Sequence, residues 1–134
     1  MASFLVRSAG LTTDGTTGGD FFQVNSGALS ASTINGLAGA DSLQISDDVA
    51  SATNVSIDLA GEKDILTASG TDFQSSTILL GAGGDILVSH DAQFGGTVKA
   101  GDGNDTITLS AGVVDTMLGG GGNDSIIASA LISG

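Results

Sequence analysis

A repeat centred on an Asp residue is the feature that most limits what this chain can fold into. In each of six copies a turn-forming segment, usually rich in Gly, is followed by Asp and then by alternating apolar residues. Successive Asp numbers differ by 21, 23, 21, 20 and 19 for Asp20, Asp41, Asp64, Asp85, Asp105 and Asp124. A period of about 20 residues is typical of a solenoid in which each repeat forms one coil.

Apolar residues occur at fixed distances from each Asp. The second residue after the Asp is always apolar, and the six members of this position are Phe22, Leu43, Leu66, Leu87, Ile107 and Ile126. A second apolar position precedes the next Asp by seven residues, and it is filled by Ile34, Ile57, Ile78, Val98 and Met117. Most copies also carry an apolar residue nine after the Asp, at Leu29, Ala50, Phe73, Phe94 and Val114. These fixed spacings predict a coil made of a strand, a turn, a second strand and a Gly-Asp turn.

The predicted fold is all-β, a right-handed parallel β-solenoid of about six coils of ~20 residues. Each strand then pairs with its counterpart one coil later, so short turns suffice. With 22 Gly, no Trp or Tyr and 40% hydrophobic residues, the chain suits a narrow core of identical layers. We expect a single domain over 1–134, with an N-terminal cap at 1–14, six repeats at 15–129 and a C-terminal end at 130–134.

The formal net charge of -12 comes from 15 acidic residues against Arg7, Lys63 and Lys99. This balance excludes nucleic-acid binding, which needs clustered basic residues, and it suits a divalent cation or a basic partner. The first residues contain no apolar run of the length of a cleavable signal, and no stretch predicts membrane insertion. We expect an extracellular or virion-surface location without a cleavable N-terminal signal.

Equivalent residues of a solenoid stack in columns, so the six Asp residues should lie one above another. Two carboxylates at ~4.8 Å repel each other by roughly 1 kcal/mol in water and by more at a partly buried edge. Turn amides, protonation or a cation must therefore offset the repulsion.

The best-formed turns are Gly119-Gly120-Gly121-Gly122-Asn123-Asp124-Ser125-Ile126 and Ala100-Gly101-Asp102-Gly103-Asn104-Asp105-Thr106-Ile107, with Leu80-Gly81-Ala82-Gly83-Gly84-Asp85-Ile86-Leu87 a weaker version. They resemble the calcium-binding nonapeptide G-G-x-G-x-D-x-U-x of haemolysin-type (repeats-in-toxin) proteins. The resemblance implies calcium between stacked turns, since flexible oxygen-rich turns suit this cation. The implied side-chain ligands are Asp85, Asp105 and Asp124, with Asp102 as an extra one, and the implied carbonyl donors are Gly101, Gly103, Gly120 and Gly122.

This chain departs from that family, because it has one motif per coil of about 20 residues and degenerate turns in its first three copies. Glu62 and Lys63 stand where glycines are expected. A metal-free stacked turn, in which Asp accepts hydrogen bonds from nearby backbone amides, explains the same pattern. The calcium-bound and metal-free interpretations both stay open.

Enzymatic activity is not expected. Ser89, His90 and Asp91 include the only His, but neighbours in an extended chain point to opposite faces and cannot form a proton relay. Asp58 lies on a strand face, as acids do in polysaccharide-cleaving β-helices, yet the chain has no Trp or Tyr to stack on a sugar.

The residues that should point outward from the first strand of each coil form an apolar strip, which predicts a partner surface. Its members are Phe21, Ile65, Ile86, Val88 and Ile127. The alternative is that β-branched residues there reflect strand propensity alone. Two end segments, Phe4-Leu5-Val6 and Ala130-Leu131-Ile132, are expected either to cap the rod or to dock to another chain.

Two functions follow from these observations. The first is a non-enzymatic structural or assembly protein that decorates or cements a larger surface, such as a virion capsid or cell-surface layer, through a protein partner or self-assembly. The second, implied by the resemblance, is the calcium-binding repeat module of a secreted repeats-in-toxin-type protein.

Overall fold

The computed structural model describes residues 1–25, 27, 29–49, 51–110, 113–129 and 131–132. Its fifteen strands are β1 (Ser3–Val6), β2 (Thr12–Asp14), β3 (Phe21–Val24), β4 (Thr33–Asn35), β5 (Ser42–Ile45), β6 (Ser51–Thr53), β7 (Ser56–Asp58), β8 (Ile65–Ser69), β9 (Asp72–Gly83), β10 (Ile86–His90), β11 (Gln93–Gly103), β12 (Thr106–Leu109), β13 (Val113–Gly121), β14 (Ser125–Ala128) and β15 (Leu131–Ile132). Within these ranges there is no helix that could span a membrane.

The strands form two parallel sheets in which each strand pairs with its counterpart from the neighbouring coil. The first sheet has the order β1-β3-β5-β8-β10-β12-β14, and the second has the order β15-β13-β11-β9-β7-β4-β2, with β6 beside β9. Consecutive parallel strands are joined by short turns because the chain alternates between the two sheets. The prediction of an all-β parallel solenoid of about six coils is confirmed.

The predicted apolar positions stack in columns inside the coil. Strand pairing places Leu66 beside Leu87, and Leu87 beside Ile107, in the first sheet. In the second sheet Ile57 pairs with Ile78, and Ile78 with Val98. All six side chains are buried, so the two sheets share one narrow core.

The far edge of the coil is filled by a third column. Leu29, Phe73, Phe94 and Val114 are buried as predicted, and the rings of Phe73 and Phe94 stack with centroids 5.0 Å apart. The predicted member Ala50 lies outside the described residues, and Ala52 pairs with Phe73 instead. The long repeat between Asp41 and Asp64 therefore holds its extra residues near this turn.

Residues 2–19 form a further layer, which we call the leading coil. Its strands β1 and β2 pair in register with β3 and β4 of the first repeat. Phe4 stacks on Phe22 with ring centroids 5.0 Å apart. The segment expected as a cap at 1–14 thus extends both sheets by one strand each.

Candidate functional site: the aspartate column and the outer face

The six motif Asp residues form one column inside the coil, at the corner between the Gly-Asp turn and the first sheet. We call it the aspartate column and number the coils 1 to 6 from Asp20 to Asp124. The first five side chains are buried, and Asp124 in the last coil is half-buried. Five carboxylic groups are therefore withdrawn from the solvent along one line, and the sixth is partly withdrawn.

A ladder of hydrogen bonds connects this column from coil to coil. In each step the backbone N–H of one coil's Asp donates to Oδ1 of the next coil's Asp. The distances are 2.7 Å for Asp20 to Asp41, 2.7 Å for Asp41 to Asp64, 2.8 Å for Asp64 to Asp85, 2.8 Å for Asp85 to Asp105 and 3.1 Å for Asp105 to Asp124. The ladder satisfies a buried amide in every coil, and hydrogen bonds of this kind stabilise an ionised or polarised carboxyl group.

The second carboxyl oxygen of the column is unpaired in the middle coils. The Oδ2 atoms that are buried without a hydrogen-bond partner belong to Asp41, Asp64, Asp85 and Asp105. A buried polar atom without a partner is costly, and it calls for a proton, a water molecule or an ion.

Burial raises the pKa of three of these carboxyls, those of Asp41, Asp64 and Asp85. It raises the pKa of Asp64 to about 7, with further rises from the charges of Asp85, Asp41 and Glu62 and an opposing effect of the Asp41 amide. Burial also raises the pKa of Asp41 and of Asp85 above the ordinary value. Protonation is thus a second way in which the column reduces its own repulsion.

Asp20 behaves differently because its Oδ2 has partners. The hydroxyl of Thr16 donates to Oδ2 at 2.8 Å, the Thr16 amide donates to the same atom, and the Ala2 amide donates to Oδ1 at 2.8 Å. Burial raises the pKa of Asp20, but these hydrogen bonds outweigh it and hold the pKa below 3.8. The hydrogen bonds around Asp20 therefore favour its ionised form.

The Gly-rich turns place glycines where the backbone is left-handed. In the last three turns the residues four and two before the Asp have positive φ, for example Gly101 at 118° and Gly103 at 148°. A Cβ on Gly101 would overlap the carbonyl oxygen of Gly81, and one on Gly103 would overlap that of Gly83. These glycines are needed for the close approach of successive coils.

The residues implied as calcium ligands match an oxygen site only in part. The buried Oδ2 atoms of Asp85 and Asp105 are free acceptors, but their Oδ1 atoms already bind backbone amides. The carbonyl oxygens of Gly101 and Gly103 point along the stack towards Gly120 and Gly122. Across the described part of the chain, no three His, Asp or Glu side chains converge as a metal site. Calcium binding stays a prediction.

The predicted partner surface divides into three parts. Ile65 pairs with Ile86 on neighbouring strands, and Val88 lies two residues further along the same strand as Ile86. Ser42 separates Phe21 from Ile65, and Thr108 separates Ile127 from Val88. The contiguous part, Ile65, Ile86 and Val88, is called the side patch below.

The single His lies on the opposite side of its strand from its Ser neighbour. Ser89 is buried, and its hydroxyl lies 3.5 Å from the carbonyl oxygen of Ala92, whereas His90 is exposed. Asp91 is exposed in a left-handed turn. The three residues therefore do not converge.

Sequence reasoning did not single out two features. The amide of Asn123 donates to Oδ1 of Asn104 at 2.9 Å, which adds an outer ladder beside the last two column residues. The repeated Gly-Asn-Asp at 103–105 and 122–124 is the sequence pattern from which this Asn pair could have been predicted. The hydroxyl of Thr16 donates to Oδ2 of Asp20. Thr16 has no counterpart in the later copies, so the repeat pattern did not indicate its role.

The chain matches no protein-family model, and neither curated proteins nor solved structures yield a significant match. The resemblance to haemolysin-type repeats therefore depends on the motifs quoted above alone.

Proposed function

We propose that this protein is a non-enzymatic structural protein, a small β-solenoid that decorates or cements a larger surface assembly such as a virion capsid or a cell-surface layer. The observation that carries the proposal is the use of the acidic residues: the column carboxylates accept the backbone amides of neighbouring coils. Groups used in this way hold the coils together and are withdrawn from any substrate. The outer surface then carries the function.

The side patch is the part of that surface with the chemistry of a contact. Ile65 is 39% exposed on the outer face of the first sheet, and Ile86 and Val88 beside it are half-buried. The whole chain has a formal net charge of -12. The fitting partner is a protein surface with an apolar centre and a basic rim, in an extracellular or virion-surface setting.

The second function, a calcium-binding module of a secreted repeats-in-toxin-type protein, is favoured by one observation. Asp85 and Asp105 belong to the Gly-rich turns, and each has a buried Oδ2 without a partner. A bound cation would satisfy these atoms, as a proton would.

Alanine substitutions in the column distinguish the two functions. We expect the protein to be fully β-structured by circular dichroism in the presence of a chelator. Asp41→Ala and Asp105→Ala should destabilise it by similar amounts, about 1–3 kcal/mol, because each leaves one buried amide without an acceptor. Asp41→Asn and Asp105→Asn are matched controls. Each keeps Oδ1 as an acceptor for the amide, so each should lose much less stability than the Ala variant.

Chemical unfolding of these variants, with chelator and with calcium, is the measurement. A chain that gains its β-structure only on addition of calcium would overturn the structural function. The same conclusion would follow if calcium stabilised Asp41→Ala strongly but had no effect on Asp105→Ala, since the metal would then depend on the Gly-rich turns.

A further inference from the structure

The C-terminal end of the first sheet leaves a core position open. Leu87, Ile107 and Ile126 belong to one inward column. Leu87 and Ile107 are 0% exposed, whereas Ile126 is 42% exposed. Among the residues that the structure describes, β14 is the last strand of the sheet and pairs with β12 only. This end therefore has the character of a coil-to-coil contact without the next coil.

The N-terminal end of the same sheet presents the other half of such a contact. Strand β1 pairs with β3 only, and Phe4 belongs to the same inward column as Phe22. Phe4 is half-buried, although Phe22 below it is fully buried. An aromatic ring of core type is thus partly uncovered at this end.

The two ends fit each other because every coil contacts its neighbours in one parallel register. Each strand of the sheet has one edge towards the preceding coil and one edge towards the following coil. In β1 the edge towards the preceding coil is free, and β14 uses the equivalent edge to pair with β12. In β14 the edge towards the following coil is free, and β12 uses the equivalent edge to pair with β14. A second copy shifted along the axis would place its β1 beside β14, with Phe4 above Ile126. Unpaired strand edges of this kind favour addition of another strand.

Charge favours the head-to-tail arrangement over contact between like ends. Residues 1–19 contain one basic residue, Arg7, and one acid, Asp14. Residues 100–134 contain no Lys or Arg, and their acids are Asp102, Asp105, Asp115 and Asp124. Two C-terminal ends would bring acids together, whereas a shifted copy brings the more basic end to the acidic one.

We propose that the C-terminal end of the solenoid is the docking site for the N-terminal end of a second copy. Copies related by a shift along the axis then form an open-ended polar stack, since such an interface does not close on itself. Seven strands at a spacing of about 4.8 Å give a rise of about 34 Å per copy. This inference rests on the proposed assembly function and adds the chain itself as a second partner, bound at the ends of the solenoid.

One hydrogen bond of the ladder would be missing at this junction. The residue that follows Asp124 in the column is Ala2 of the second copy, which has no side-chain acceptor for the Asp124 amide. Ala2→Asn would supply one, because the acceptor oxygen at this position points to the preceding coil. One added hydrogen bond should tighten the association by about threefold to tenfold.

Disulfide trapping tests the register directly, because the chain contains no Cys. Ser3 and Ser125 lie in the same outward column at opposite ends of the sheet. They are about 29 Å apart within one copy but about 4.8 Å apart across the proposed junction, within reach of a disulfide. Oxidised Ser3→Cys/Ser125→Cys protein should form a series of covalent oligomers. The control Ser3→Cys/Ser42→Cys should not form this series, since Ser42 lies mid-sheet.

Sedimentation velocity over a wide concentration series gives the second readout. The wild-type coefficient should rise with concentration, Ile126→Glu should remain monomeric, and Ile86→Ser in the side patch should associate like the wild type. Circular dichroism checks that each variant is folded. A wild-type chain that stays monomeric and forms no disulfide series overturns the stack. If Ile126→Glu and Ile86→Ser weaken the association equally, the stack is also overturned, and the side patch becomes the better explanation of the association.

These outcomes separate the stack from the proposed function. A protein that folds without calcium and stays monomeric contradicts the stack but leaves decoration through the side patch intact. A protein that needs calcium to fold contradicts the structural function whatever its association.

Discussion

The turns before Asp41 and Asp64 and the turns before Asp85, Asp105 and Asp124 follow a similar backbone path with different residues. In the earlier turns Leu37, Ala60 and Glu62 have φ between 73° and 76°, and the fourth equivalent position is Gly39 with φ 110°. In the later turns glycines at these positions have φ between 112° and 148°. The second-sheet strands β4 and β7 end before the earlier turns, whereas β9, β11 and β13 continue through the later ones.

The difference between the earlier and the later turns shows that the aspartate column and the glycines have separate structural roles. The column ladder is continuous through both regions, with similar distances of 2.7 Å at Asp41 to Asp64 and 2.8 Å at Asp85 to Asp105. Glycine adds pairing of the turn backbone, as between Gly81 and Gly101. The carboxylates hold coils in both regions, and in the later region the backbone of the Gly-rich turns pairs as well.

The largest expected effect comes from filling a later turn. Gly101→Ala should destabilise the protein by roughly 3–5 kcal/mol, because the Cβ overlaps the Gly81 carbonyl and the backbone is left-handed. Gly61→Ala, one position further along the earlier turn, is the control for adding a methyl group, since a Cβ there meets no atom within 4 Å. Chemical unfolding followed by circular dichroism measures both, and equal losses would show that the overlap with the neighbouring coil is not the cause of the destabilisation.

A smaller effect is expected from pH, with opposite signs at the two kinds of carboxyl. The pKa of Asp64 rises from 3.8 unfolded to about 7 folded, so its contribution to stability is complete below about pH 4 and is lost as pH rises through 7. Asp41 and Asp85 act in the same direction. The pKa of Asp20 is lowered, so its contribution is present above pH 3.8 and is lost on acidification.

Thermal unfolding between about pH 5 and about pH 8 checks this sign. The wild-type Tm should fall as pH rises, and Asp64→Asn should flatten the fall because the amide cannot ionise. Asp20→Asn is the control and should leave the slope over this range unchanged. A wild-type Tm that rises with pH would contradict the raised pKa values of Asp41, Asp64 and Asp85.

The smallest expected effect is a gain in the earlier turn. Glu62→Gly should stabilise the protein by about 0.5–1 kcal/mol, because it relieves a left-handed non-glycine residue. It also removes a charge that faces Asp41 and Asp64. Lys63→Gly, one residue away without positive φ, should give no gain. If both variants behave alike in chemical unfolding, backbone strain is not what separates the two regions.

The repeat phase made most of the fold predictable. Residues such as Leu66 and Ile78 recur at fixed distances from the Asp, and each is buried in a column. The leading coil was harder to predict, because Ala2 replaces the Asp that marks every other copy. The extra residues after Asp41 also shifted the far-edge position, so that Ala52 stands level with Phe73.

The candidate site was less predictable than the fold. The sequence places the six Asp residues in a column and allows turn amides, protonation or a cation to offset their repulsion. It contains no sign that the amide belongs to the preceding coil, since that depends on which way each side chain points. The outward strip also looked continuous, but side-by-side pairing puts Ser42 between Phe21 and Ile65.

The direction of the ladder has a consequence for how the chain is made. The backbone amide of each column Asp donates to a carboxylate that lies 19 to 23 residues further along the chain. This holds from the first pair, Asp20 and Asp41, to the last pair, Asp105 and Asp124. On a ribosome each coil can therefore close as soon as the next Asp emerges, so folding advances one coil behind synthesis. Contacts of such constant sequence separation, each with the neighbouring coil, favour stepwise folding from the first coil onward.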